Sequence, residues 1–557
     1  MWMNVSECLE AVRRFMSILL SIRKRGTVSG LGFGPAAGRV HDLVGHGSES
    51  LAESKFMSPL LFAVRRLAIY GWLLAMPLLV SGQNAFSPGG NDYVIAGALA
   101  GDQTAPQAAV NTTGGWLVWQ DNAANPNGLR IRAQRLNGSL AQAQAPFLVS
   151  SAAASASAGD QEKPQVALLN NGGAVFVWQG GKFGFQKIYA RFCAANGSFL
   201  TSDILVNTYA NNFQINPGVA TLADGSVVVV WASDGQDGDL QGIFGQRFSA
   251  AGVKLGGEFQ INQWTAKNQR TPAVAALANS NFVVAWVSEL QRNAASVDIY
   301  ARKFNSSGTA VGNEFPVNVS PTNLCANPAL AGSPQGGFAV AWSQKDDQVL
   351  TAGSQSGVLV TPAQTSKSPN SWDVFARRFN ATGVAIGEAV RLNTQVYGDQ
   401  YAPKLSAFGK NYLAVWNSLG QDTSREGLFG QFLSSDGSLE GVEFRVNTTT
   451  ISRQIHPTIA SDGLNRFLVV WSSFVANSSF DLFARSYDLI RLEMAVTPRG
   501  VTLSWNTQPG LAYQVQTSAN GSTWASVGGL RTAAGYSDSV TVSSTGGSAF
   551  YRVIRPQ

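Results

Sequence analysis

A tryptophan that closes an apolar run recurs seven times, at Trp119, Trp178, Trp231, Trp286, Trp342, Trp416 and Trp471, spaced 59, 53, 55, 56, 74 and 55 residues apart. Each follows a proline by 13 or 14 residues: Pro106, Pro164, Pro217, Pro272, Pro328, Pro403 and Pro457. Six of those prolines have Gln three residues earlier (Gln103, Gln161, Gln214, Gln269, Gln400, Gln454), and Cys325 fills the slot in the fifth unit. A period of this length means repeated supersecondary units. One such unit cannot bury its apolar face without neighbours.

The third unit reads as four short strands, at 217–222, 226–231, 243–248 and 258–262. The second contains four consecutive valines, the mark of a strand buried on both faces, and a turn at 223–225 precedes it. The third strand recurs at 299–304, 374–379, 428–433 and 482–487. Four strands in each of seven units predict an all-β, seven-bladed β-propeller over 83–490. The seventh unit lacks a fourth strand of its own, while 92–95 precedes the first unit. Ile95 lies 11 residues ahead of Pro106, as Val206, Ile261, Val317, Leu392 and Val446 do ahead of their own prolines. The N-terminal strand is therefore expected to complete the seventh blade and close the ring, leaving no long open edge.

The repeat pairs Pro-x-Val-Ala-x-Leu at 217–222 with a Val-Val-Val-Trp run ending at Trp231 and Gly-Ile-Phe-Gly-Gln-Arg-Phe at 242–248. It resembles the repeats of bacterial secreted seven-repeat β-propeller proteins, across about residues 92–488. That resemblance implies fold and secretion, and no single biochemical role. From Leu492 the period changes to alternating strands at 501–505, 512–517, 524–527, 537–542 and 549–554, with Asn520-Gly521 as a hairpin signal. Residues 491–557 resemble a fibronectin type III-like β-sandwich, which implies a spacing, attachment or sorting role.

Arg65 and Arg66, then an apolar run from Leu67 to Val80, then Ser81-Gly82, read as a signal peptide over 57–82. Translation from Met57 makes 1–56 a spurious or disordered extension. A genuine extension would place a basic amphipathic segment at 12–25 on a membrane. A secreted or cell-surface protein is expected, with no stable membrane span after signal removal. Residues 1–82 hold nine Lys/Arg against five Asp/Glu, which is most of the net +6. No basic run with interleaved aromatics follows, so no nucleic-acid partner is expected. Three cysteines, Cys8, Cys193 and Cys325, give neither a disulfide framework nor zinc spacing.

Catalytic residues are not legible. His456 is the only histidine after the signal and reads as a capping or packing residue at a strand start. Cys193 aligns with Phe248, Phe304 and Phe379, in a core slot. The third-strand series Gln134, Arg191, Gln246, Arg302, Arg377, Gln431 and Arg485 reads as hydrogen bonding between blades rather than an anion-binding ring. Sequons at Asn305, Asn380 and Asn477 fit ordinary turn chemistry. Asp234, Asp237 and Asp239 share a Gly-rich loop and are candidate calcium ligands, calcium being the one cofactor considered. The loop 343–373, with Asp346, Asp347 and Trp372, is the candidate partner-binding element. The expected function is a monomeric, non-catalytic binding or adhesion scaffold for an extracellular polysaccharide or protein. The alternatives are a polysaccharide hydrolase or lyase using propeller carboxylates, and a passive envelope or matrix component.

Overall fold

The computed structural model describes residues 3–4, 78–88 and 91–554, apart from 98, 124–127, 151–158, 334–335, 346–370, 465, 476–478, 498–499, 508–509, 511, 536 and 544–549. They form two compact units, one over 88–488 and one that joins 489–557 to residues ahead of 88.

In the third repeat, Val227–Asp234 pairs antiparallel with Gln214–Thr221 on one side and Gln241–Phe248 on the other, and Lys254–Gln260 adds outside. The valines of the second strand are fully buried, as a strand covered on both faces requires. At the first turn the Asp224 carboxylate accepts the Ser226 amide at 2.9 Å and Gly225 takes a φ of +84°. Asp and Gly are needed there for those two reasons.

The inner strand is longer than its sequence pattern suggests, because pairing continues past the proline through a β-bulge between Ile215 and Gly218. Proline has no N–H to give a ladder, so a strand tolerates it at an edge or a bulge. The innermost strand of a blade offers both. The same irregularity interrupts all seven inner strands: Gln103–Asn111, Asp160–Leu168, Gln214–Thr221, Gln269–Ala276, Leu324–Gly332, Gln400–Phe408 and Gln454–Ser461. In each, the residue before the proline is left-handed, with φ between +51° and +56°: Ala105, Lys163, Asn216, Thr271, Asn327, Ala402 and His456.

Closure follows the expected route. Tyr93 and Val94 pair with Ala484 and Phe483, and the Ile95 amide donates to the Leu482 carbonyl at 3.1 Å. The equivalent amides of Val149, Val206, Ile261, Val317, Leu392 and Val446 each donate to the third strand of their own blade. Asp92 accepts the Thr448 and Thr449 amides, and Tyr93 Oη donates to the Leu140 carbonyl. Each inner strand packs on the next, and Gln454–Ser461 packs on Gln103–Asn111. The chain is a closed β-propeller.

The repeated tryptophans are the cores between blades. Trp231 packs among Val175, Val177 and Ile188 of the preceding blade, and Trp119 packs among Leu468, Val470 and Leu482 across the closure. All seven are buried. Of the third-strand polar series, Arg191, Arg302, Arg377 and Arg485 donate to the carbonyls of Val149, Ile261, Val317 and Val446 in the preceding blade, and Gln134 donates to Ile95. Gln246 and Gln431 instead donate to carbonyls within their own blades. Interblade bonding thus accounts for five members of the series.

The second unit contains two sheets. In one, the latter part of the strand Phe480–Thr497 pairs with Gly500–Asn506, which pairs with Ser537–Val542. In the other, Ala512–Ser518 pairs with Phe550–Ile554 and with the short strands Ala525–Ser526 and Arg531–Thr532. Leu492, Met494, Val501, Leu503, Trp505, Tyr513, Val515, Tyr551 and Val553 form its core. Of the proposed signal peptide, 57–77 lies outside the described residues, and Leu78–Pro88 is a strand spanning the expected cleavage point. Among the described residues no helix is long and apolar enough to cross a membrane.

Candidate functional site

The loops after the second strands and the crossovers from fourth strands to the next inner strands open at one end of the ring. Five crossovers are tied by an asparagine that the repeat pattern had not flagged: Asn207, Asn262, Asn318, Asn393 and Asn447, one residue after the apolar position 11 ahead of each proline. Asn262 Oδ1 accepts the Ile243 amide at 2.8 Å, while its Nδ2 donates to the Trp264 carbonyl, to Gln269 Oε1 and to Asp237 Oδ2. Gln269 Nε2 then donates to the Ala266 carbonyl. Asn447 repeats this with Asp422, Thr449 and Gln454, and Asn393 repeats it with Asp373, Gln395 and Gln400. The recurring Gln therefore holds a crossover. In the fifth blade Cys325 takes the slot, and Gln344 accepts from the Trp342 indole at 3.0 Å instead.

This network sets the character of Asp237. Burial pushes its carboxyl up, and the Asn262 hydrogen bond opposes that shift. A Cβ on Gly242 would stand 2.3 Å from Asp237 Oδ2, so any other residue there would push the carboxylate out of this position. Replacing Asn262 with alanine is expected to cost about 1–3 kcal/mol, because it strands the buried Ile243 amide and removes a donor from the half-buried Asp237 carboxylate. Urea denaturation against an exposed control, Thr265→Ala, measures it.

The three candidate calcium ligands do not converge. Asp234 ends its strand, its amide donating to the Phe213 carbonyl, and burial raises its carboxyl. Asp237 faces Asn262, and Asp239 accepts the Lys267 amide at 2.9 Å from the exposed side of the loop. Among the described residues no group of three or more His, Cys, Asp or Glu is placed to hold a metal. Asp346 and Asp347 lie outside the described residues. Trp372 stands as the first residue of the strand Trp372–Phe379, opposite Lys345 and half-buried, rather than in the loop. The turn sequons Asn137, Asn196, Asn305 and Asn380 each accept the amide two residues on, which is the turn role expected of Asn305 and Asn380. Asn477 lies outside the described residues.

The residues that distinguish this face were not legible as a pattern. Phe183 is 94% exposed and Phe185 69%, both in the loop after the second strand of the second blade. Trp264 and Tyr397, exposed at 39% and 65%, sit in crossovers, and Phe474, at 42%, ends a second strand. At the opposite end the exposed large hydrophobics among the described residues are aliphatic: Leu200, Val253, Val311, Val384, Val442 and Leu464. Every exposed aromatic of the described ring is thus on one face.

Cys193 is buried and its thiol is pushed up to about 11 by that burial, as a core residue rather than a nucleophile. His456 is neither a cap nor a core residue. It occupies the left-handed bulge position and is exposed.

No protein-family model matches the chain, and no curated protein does. Solved structures to which the chain is similar include an α-L-arabinanase of Penicillium chrysogenum complexed with arabinobiose, 14% identical over 58% of this chain and 92% of that one, TM-score 0.38. The GH93 α-L-arabinofuranosidase of Fusarium graminearum is 11% identical over 58% and 91%, TM-score 0.39. The polysaccharide lyase Uly1 is 9% identical over 75% and 99%, TM-score 0.42. At such scores these likenesses carry no argument about the chemistry of this chain.

Proposed function

We propose that the protein binds an extracellular polysaccharide across the ring face built from the second-strand loops and the crossovers. The observation that supports this is the one-sidedness of the exposed aromatics: among the described residues of the ring, Phe183, Phe185, Trp264, Tyr397 and Phe474 are all on that face, while exposed aliphatics occur at both ends. An aromatic ring offers a flat apolar surface to the C–H face of a sugar and loses little conformational entropy when it does. Exposed crossover residues such as Thr208, Gln263, Thr265 and Thr394 supply donors and acceptors for hydroxyl groups. Trp264→Ala and Phe183→Ala are each expected to weaken retention in gels cast with the bound polysaccharide by about tenfold or more. Unchanged mobility shifts in both would remove the proposal.

A second reading, cleavage of the same polymer, draws on one loop. Burial holds the Asp234 and Asp237 carboxyls above the usual range, and Asp239 adds to the shift of Asp237. A carboxyl held up by burial is suited to giving a proton to a leaving oxygen, and a second carboxyl follows in the same loop. On this reading Asp239→Asn abolishes release of new chain ends and spares retention.

A further inference from the structure

Five of the left-handed bulges line an open cavity around the ring axis. Residues from five blades line it, among them Lys163, Asn216, Thr271, Asn327 and Lys404, and its volume is about 160 Å3. Only a space at the centre of the ring can touch five blades at once. Its charged lining residues are Lys163 and Lys404, with no carboxylate. Among the described residues neither lysine has a carboxylate within ion-pair distance. His456 occupies the corresponding bulge of the seventh blade, where loss of water around the imidazole first and the charges of Lys404 and Lys163 next disfavour its protonation, although part of the side chain stays exposed. Arg453 contributes to the same field but is paired with Glu426. Burial lowers Lys404 first, and the charge of Lys163 lowers it further.

Two like charges that line one cavity repel, and Lys404 loses hydration as well, an arrangement that a bound anion relieves. The polar groups beside them, Asn216, Thr271 and Asn327, carry donors suited to anion oxygens. The cavity is smaller than an ordinary small-molecule pocket. It suits one small ion rather than a sugar.

We propose that this axial cavity binds a single small oxyanion, of the sulfate or phosphate class, between Lys163 and Lys404. The site is separate from the aromatic face and stands without it. The test is thermal unfolding of the full chain titrated with sodium sulfate or sodium phosphate, against sodium chloride at matched ionic strength. The wild type is expected to gain melting temperature saturably with either oxyanion. Lys163→Gln and Lys404→Gln are expected to raise the half-saturating concentration by about tenfold or more. Lys404→Met separates binding from folding: without oxyanion it should melt no lower than the wild type, and it should not respond to sulfate. A saturable response of equal size in all four proteins, or no oxyanion response in the wild type, would overturn the proposal.

Discussion

Deleting residues 83–100 is expected to destabilise the entire ring by on the order of 5 kcal/mol or more. The deletion strips the fourth strand from the seventh blade and removes Ile95 from a core that includes Trp119, Leu468 and Leu482. It also leaves the Gln134 amide without its 2.7 Å acceptor, and the Thr448 and Thr449 amides without Asp92. The exposed edge of the seventh blade then invites association with other chains. Deleting 491–557 is expected to leave the propeller's unfolding transition in place. Chemical denaturation followed by tryptophan fluorescence compares the two, and equal midpoints for the N-terminal deletion and the full chain would contradict ring closure.

The second large effect is a single truncation. Trp231→Ala is expected to cost about 3–5 kcal/mol, the penalty for emptying a buried aromatic site whose walls cannot collapse. Trp231 is fully buried against the second blade as well as its own. The wall is made of β-branched side chains on paired strands, Val175, Val177, Val227 and Val229, which have little freedom to fill the void. Trp264→Ala, on the exposed face, is the control and should change stability by less than about 1 kcal/mol. The comparison separates the two classes of tryptophan: those that build the ring and the one proposed to meet a ligand.

The fold was readable because a repeat states the same packing problem seven times. Trp231 and its counterparts, the prolines and the position of Ile95 each recur, so one interpretation had to serve every copy. The asparagines recur in five of the seven units, one residue after that apolar position, but an Asn before a turn is common and its reach to a neighbouring aspartate is visible only once the crossover is folded. The strand boundaries shifted because the bulge at Asn216–Pro217 keeps the ladder going past a residue that ordinarily ends it.

Site chemistry was much less legible. Asp234, Asp237 and Asp239 are close in sequence, yet the strand end, the Asn262 bond and the Lys267 contact send them three ways. Lys163 and Lys404 are far apart in the chain and meet only because equivalent bulges converge on an axis. Phe183, Phe185, Trp264 and Tyr397 follow no period, since a surface specialised for a partner is the part of a repeat protein that departs from its repeat.

The most direct test is hydroxyl-radical footprinting of the full chain with and without a retained polysaccharide, read residue by residue. Protection is expected at Phe183, Phe185, Trp264 and Tyr397, with oxidation unchanged at Val253, Val384 and Leu464 on the opposite end. Protection confined to those aliphatic turns, with the four aromatics still oxidised, would contradict the assignment of the binding face.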